Sequence, residues 1–374
     1  LFILRIAVII MKIPAIPFLL VSTIAIFGSC SKEKTGGNGS AERIVSFSPI
    51  VENVDSNDKA NDIANTQANV NPPKNTNFEF ISHAWYLPEG KKWDENKAEA
   101  KPYIVNERVK GFYGNDRYIW KPKYGTIYYW PRGGTLTFMS YTCMSDDQLT
   151  MYEGLFTNTY NGTVSIDKEN GLSITEFVNF VNDADLLVAD IATDRVADLN
   201  GVPTMFRHKL AKLSVYVSKE SADDTYSIEL IAFNRVYHTA SYYRGGYSDD
   251  YWTKHGSVNS YNMADYGNVS GNFNVTTEQK KYGGSIFVIP QNLNATPSGM
   301  TDKERELPQI KIIYKKNNDT SNTTKILNLN EITSTDEWTM GSHYVYNIIF
   351  GNVTKSGAEN SCDEIDIISE VTDW

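Results

Sequence analysis

The chain has 374 residues, 41% of them hydrophobic and 21% charged, which excludes a wholly disordered polypeptide and suggests two domains with an ordinary core in each. A formal charge of -10 and a pI near 5.1 speak against nucleic-acid binding, because displacing counterions from phosphates needs a basic face. With 23 Tyr, 16 Phe and 7 Trp among many Thr, Asn and Ser, the composition suits pleated, half-solvated sheets, and an all-β fold is expected.

Met11-Lys12 precedes an apolar run from Ile13 to Phe27, then the small pair Gly28-Ser29 and Cys30. This is the order of a secretory signal, and the 15 apolar residues are too few to span a bilayer comfortably. Gly28-Ser29-Cys30 resembles the lipobox of bacterial lipoproteins, with Phe27 where Leu is usual. That resemblance implies cleavage before Cys30, a thioether-linked lipid on its sulfur, and N-acylation. More than one acyl chain holds a protein stably on a membrane where a single chain is marginal. Residues 1–29 are therefore expected to be removed as a signal peptide, with translation starting at Met11, and residues 30–43 to form a lipidated flexible tether. An uncleaved anchor helix is the alternative, opposed by Arg5, Lys12, Pro14 and Pro17. Loss of Arg5 and Lys12 leaves the mature chain more acidic, so lipid rather than attraction to anionic headgroups must hold it to the membrane.

Residues 44–51 read as a first strand, and residues 52–77, rich in Asn, Asp and Ala and carrying Pro72-Pro73, as a long exposed loop. Period-2 segments follow at 78–86, 126–130 and 135–138; the last two, separated by Pro131-Arg132-Gly133-Gly134, are expected to form a hairpin. After the acidic, Ala-rich segment 183–198 a domain boundary is placed near Asn200-Gly201. Further strands are expected around 213–217, 228–230, 286–289, 310–314, 344–350 and 365–368. No stretch repeats apolar residues at i, i+3, i+4 and i+7 long enough to demand a major helix. Two β-sandwich domains, 44–200 and 201–374, are the expected architecture.

No nucleophile elbow, P-loop, H-E-x-x-H or dinucleotide fingerprint occurs, and the histidines at 83, 208, 238, 255 and 343 are scattered. His208, entering a strand, is expected to be structural rather than a base. The stretch 55–59 begins like a calcium loop, but Lys59 takes a ligand position and neither the Gly nor the distal Glu follows. Cys143 and Cys362, outside any zinc-type spacing, are expected to be separate buried thiols, although a secreted context permits a disulfide. No catalytic residue, cofactor or metal ion is expected. Tyr242, Tyr243, Tyr247, Tyr251, Trp252, Tyr261 and Tyr266 lie among Gly, Ser, Asp and Asn. They read either as a loop packing on its own sandwich or as a sugar-binding face in which Tyr243, Tyr247, Tyr251 and Trp252 stack under C–H faces.

Several segments in order carry a resemblance. T-I-Y-Y-W-P at 126–131 leads into Leu136-Thr137-Phe138-Met139-Ser140-Tyr141; Asp185-Leu186-Leu187-Val188-Ala189-Asp190 precedes Met205 to Leu213; Ile289-Pro290-Gln291, Trp338 to Tyr346, and Val371-Thr372-Asp373-Trp374 follow. Together with the lipobox they resemble the fimbrillin family of Bacteroides and its relatives, from Cys30 to the last residue. The resemblance implies two transthyretin-like β-sandwich domains and a non-enzymatic, surface-exposed outer-membrane lipoprotein: a pilus subunit, anchor or tip adhesin with other fimbrial subunits and a host or bacterial surface ligand as partners. It also implies assembly by strand exchange, in which loss of a first strand opens a groove that an extended segment of the next subunit fills. Here the strand lost would be Ile44 to Val51, and the donor candidate is 365–374, with Ile365, Ile367, Val371 and Trp374 entering pockets; the same segment also reads as an ordinary last strand. One departure stands out. Polymerising members carry an Arg-Ala processing site after the first strand, whereas residues 52–77 contain no Arg. Lys59-Ala60 stands nearest, and Arg43 precedes the strand, which favours an anchor, tip or accessory subunit, or processing at Lys59 by another protease. The alternative function is a surface glycan-binding lipoprotein of a polysaccharide-uptake system; a glycosidase or protease lacks its motifs.

Overall fold

The computed structural model describes residues 43–51, 78–114, 117–145, 162–179, 184–198, 200–245, 250–267, 269, 271–295, 307–317, 319–354 and 362–373. Cys30, Lys59, Tyr247 and Trp374 lie outside the described residues. Strands dominate, as the composition leads one to expect; the helical segments among the described residues are single turns such as Trp93–Asn96 and Leu329–Ile332.

Phe47, Pro49 and Val51 are buried while Ser48 and Ile50 are half-exposed, the period-2 pattern of a strand with one face in a core. This first strand, Phe47–Val51, enters an eight-stranded sheet with Glu79–Leu87, Lys101–Gly114, Arg117–Pro122, Thr135–Ser145, Ala184–Ala189, Ala192–Arg195 and Val202–His208. Seven of the eight close on themselves: Glu79–Leu87 pairs with Lys101–Gly114, and the pairing continues through Arg117–Pro122, Phe47–Val51, Val202–His208, Ala184–Ala189 and Thr135–Ser145 back to Glu79–Leu87. The ring encloses an aromatic core. Phe47 meets Phe80 edge-on at 5.5 Å, Phe78 meets Trp120 at 5.6 Å, and Phe80 meets Phe206 at 5.2 Å. Opposite Trp120 stands Gly111, where an added Cβ would lie 3.0 Å from the indole, so the ring seats its Trp only because position 111 has no side chain.

A four-stranded sheet of Thr163–Asp167, Gly171–Val178, Thr239–Arg244 and Asp250–Thr253 forms a second layer. Its Leu172, Ile174, Phe177 and Tyr242 share an apolar cluster with Ile81, Tyr141, Leu186 and Val188 from the ring. The later part of the chain is a sandwich. One sheet holds Ala211–Lys219, Lys280–Lys281, Ile286–Val288, Ser342–Thr354 and Cys362–Asp373; the other holds Tyr226–Tyr237, Val258–Asn262, Phe273–Asn274, Gln309–Lys316 and Thr323–Asn328. Leu213, Val215, Ile228, Phe233, Ile312, Tyr346 and Phe350 are buried in their common core.

Several expectations are corrected. Residues 126–130 form no hairpin with Thr135–Ser145, which pairs instead with Glu79–Leu87; the earlier segment makes one bridge, Tyr129 to Ile44. The Tyr-rich stretch is no loop on its own sandwich, because Thr239–Arg244 and Asp250–Thr253 form a hairpin that pairs with Gly171–Val178. The strand that begins just past Asn200-Gly201, Val202–His208, lies parallel to Phe47–Val51 in the ring. Lys101–Gly114 escapes a period-2 reading because register shifts fall opposite it and Asn106 takes φ 50°, so Ile104 and Val109, an odd number of residues apart, both end up inside.

The backbone N–H of Asn106 donates to Nδ1 of His83 at 3.4 Å, and burial holds the His83 pKa down to about 4. The unfolded chain therefore binds a proton near pH 6.5 that the folded chain refuses until about 4. Stability is expected to be full above pH 6.5 and to fall by roughly 2–3 kcal/mol towards pH 4 from this residue. Urea titrations at stepped pH check this: His83→Asn should flatten that part of the profile.

Candidate assembly surfaces and a buried charge cluster

The first strand is held along two edges. Val45 donates its N–H to Tyr128 O, Trp130 donates to Arg43 O, and Val202 donates to Ser46 O, each at 2.8 Å. The parallel register with Val202–His208 runs from Phe47 opposite Val202 to Val51 opposite Phe206, whereas Arg117–Pro122 contributes one pair, Phe47 with Trp120. Gly201 permits the close approach: its φ is 86°, and a Cβ there would lie 2.9 Å from the carbonyl carbon of Phe47. Val45, Phe47 and Val51 point into the ring core. Beside the strand lies an apolar surface in which Ile44, opposite Tyr129, is 48% exposed and Ile127 is 56% exposed. Arg43 is exposed at the near end of the strand.

The donor candidate falls on Cys362–Asp373, the edge strand of its sheet, antiparallel to Ser342–Thr354. Ile365 and Ile367 are buried in the sandwich core, while Ile368 and Val371 are exposed. The segment is thus an integral strand of its own sandwich, and no further strand pairs with its outer edge among the described residues.

Of the candidate glycan contacts, Trp252 is turned inward: its Nε1 donates to Lys209 O at 2.7 Å and its rings pack on Phe177 and Tyr242 at 5.4 Å. Tyr243 and Tyr251 stack at 5.5 Å with 19° between planes, and Tyr251 is exposed. Behind that pair lies a charge cluster that sequence reasoning missed, because its members come from three strands and from the residues just past two, Asp190 after Ala184–Ala189 and Lys209 after Val202–His208. Arg207 grips Asp190 with two parallel hydrogen bonds of 3.0 Å, from Nε to Oδ1 and from Nη2 to Oδ2. Arg244 reaches Asp190 at 3.4 Å and Asp250 at 3.6 Å, and Lys209 donates to Asp250. Lys209, Arg244 and Asp250 are nearly enclosed. Burial pushes the Lys209 pKa down, partly offset by Asp250; burial likewise pushes Asp190 up, but Arg207 and Arg244 outweigh it and hold its carboxyl below the usual range. Arg244 and Asp250 face each other across the hairpin, so the cluster ties the hairpin to the strand Ala184–Ala189 and the turn after Val202–His208.

His208 Nδ1 lies 2.5 Å from Asp185 Oδ2, and His343 Nε2 lies 2.9 Å from Ser214 Oγ; both are strand residues bonded to neighbouring strands. Cys143 is a buried thiol within the apolar layer outside the ring. Among the described residues no group of three His, Cys, Asp or Glu is placed to hold a metal ion.

The family model described as fimbrillin-like matches residues 88–374. No curated protein matches the chain. Among solved structures it is similar to a candidate cell adhesion protein from Bacteroides uniformis ATCC 8492, at 14% identity over 90% of this chain and 100% of that one, with a TM-score of 0.49. It is similar to a fimbrilin, FimA, from Porphyromonas gingivalis W83, at 12% identity over 89% and 98% of the two chains and a TM-score of 0.40. The tip fimbrial protein Mfa3 from Porphyromonas gingivalis aligns at 8% identity over 79% and 94%, with a TM-score of 0.36.

Proposed function

The chain belongs to the fimbrillin-like family, and from that premise we propose that it is an outer-membrane lipoprotein, acylated at Cys30, that serves as a fimbrial subunit in cell adhesion and assembles by strand exchange. Membership implies a fimbrial, cell-surface location and a structural rather than catalytic role. The observation that supports exchange is the seat of the first strand. Phe47–Val51 completes the ring between Arg117–Pro122 and Val202–His208, so loss of the chain through Val51 would bare the edge of Val202–Phe206 that faces it, the Val202 N–H included, and empty the sites of Val45, Phe47 and Val51. An extended segment of alternating apolar residues from another subunit has the shape and chemistry to fill that slot. The strand at Cys362–Asp373 carries such alternation, but as a donor it must first withdraw Ile365 and Ile367 from its own core, at a cost of about 1.5–3 kcal/mol each.

The absence of Arg from residues 52–77 makes an anchor or tip position the favoured one. N-terminal sequencing and mass analysis of protein from native cells decide it. An intact acylated Cys30 marks an anchor, a start at Ala60 marks a stalk subunit processed after Lys59, and a start at Ile44 marks release after Arg43 with the first strand retained. A mature chain without acyl groups that still carries residues 11–29 would overturn the lipoprotein reading.

A further inference from the structure

We propose that the outer face of the second sandwich sheet is a binding site for a carboxylate-bearing saccharide. The site is a groove of about 630 Å³ along the strand Tyr226–Tyr237, between Val258–Asn262 and Gln309–Lys316. Its floor is set by one small residue. Ala232 stands with Asn262 opposite on one side and Lys311 opposite on the other, so the sheet dips where a larger side chain would fill the surface.

Around that dip the polar groups are of two kinds. Arg235 and Lys311 are cations; Asn234, Asn259 and Asn262 are amides, each both donor and acceptor. Arg235 sits in a register shift between Phe233 and Val236 with φ 60°, a left-handed backbone rarely adopted by a long side chain, and such bulges re-aim side chains near functional sites. The re-aimed guanidinium is then fixed: Nη1 donates to Gln309 Oε1 at 2.5 Å, and Gln309 Nε2 donates to Asn328 Oδ1 at 3.2 Å. Asn262 is oriented in the same way, accepting from Ala264 N and donating to Asp265, and Asn259 accepts from Ser260 N. Each amide keeps a hydrogen and a lone pair for a ligand. Lys311 makes no hydrogen bond or ion pair with any described residue, although the chain as a whole carries a charge of -10.

A cation without a carboxylate partner among the described residues, beside a positioned guanidinium, selects an anion. Two oriented amides, Asn259 and Asn262, with Asn234 beside them, select a ligand whose other groups are also both donors and acceptors, which hydroxyls are. A sugar with a carboxylate, such as a uronate, satisfies both demands, whereas an acidic peptide side chain offers acceptors alone. The groove shares no residue with the seat of the first strand, so its failure would leave the strand-exchange reading untouched.

Isothermal titration of the full mature chain with trigalacturonate tests the site, with maltotriose, acetate and tetra-aspartate as comparisons. Saturable binding of trigalacturonate is expected, with none of comparable strength for the other three. Lys311→Gln, on the surface, should weaken it about tenfold or more at an unchanged melting temperature, and Ala232→Leu should abolish it by filling the dip. The proposal is overturned if trigalacturonate does not bind saturably, if K311Q binds as the parent does, or if maltotriose, acetate or tetra-aspartate binds equally well.

Discussion

Cutting the chain at a protease site engineered between Val51 and Phe78, then stripping off the residues up to Val51, is expected to destabilise the ring by roughly 5–9 kcal/mol. Val45, Phe47 and Val51 each leave a buried apolar site worth about 1.5–3 kcal/mol, and the backbone partners of the strand are exposed as well. That loss is comparable with the whole stability of an ordinary domain, about 5–15 kcal/mol, so the stripped ring should either unfold or capture another strand. Two measurements separate these ends. Denaturation should show a lowered midpoint that a synthetic peptide of residues 43–51 restores, and light scattering should show stripped molecules associating into high-mass species when no peptide is added. A stripped protein that stays monomeric with an unaltered midpoint would remove the physical basis of exchange.

The second large effect concerns the charge cluster. Asp250→Ala is expected to cost about 3–5 kcal/mol, because it leaves Lys209 and part of Arg244 enclosed without a counter-charge. Charges out of water are tolerated only in pairs. The double variant Lys209→Met, Asp250→Ala should therefore recover most of the loss, since Arg244 keeps Asp190 and a thioether fills the space of the lysine stem. Urea denaturation of parent, single and double variants gives the comparison. A single variant as stable as the parent, or a double no better than the single, would show that the cluster contributes little to holding the hairpin on the ring.

The cluster also shows why the hairpin was misplaced by sequence reasoning. Tyr242, Tyr243, Tyr251 and Trp252 among polar residues look like a loop. Once Tyr242 is buried opposite Ile174 and Trp252 lies against Phe177, those two are the inner face of two strands, and Tyr243 and Tyr251 stack on the other face. Arg244 and Asp250, read singly, are surface charges; they become a pair only when the hairpin sets them opposite each other. The binding groove is equally invisible in one dimension, because Ala232, Asn262 and Lys311 become neighbours only through sheet register.

What the amino-acid order determined unaided is the class of the fold and nine of the described strands, and it displays a secretory-type string ending at Cys30. These are local properties: a pleat places alternate residues on opposite faces, and a signal is read as a linear string. Tertiary structure alone decided which edges meet. Phe47–Val51 lies parallel to a strand that begins at residue 202, and Thr239–Arg244 pairs back to Gly171–Val178. Any exposed strand edge offers the same N–H and C=O groups, so alternation cannot name the partner; the choice is made by how side chains from distant segments fill a common core and pair their charges.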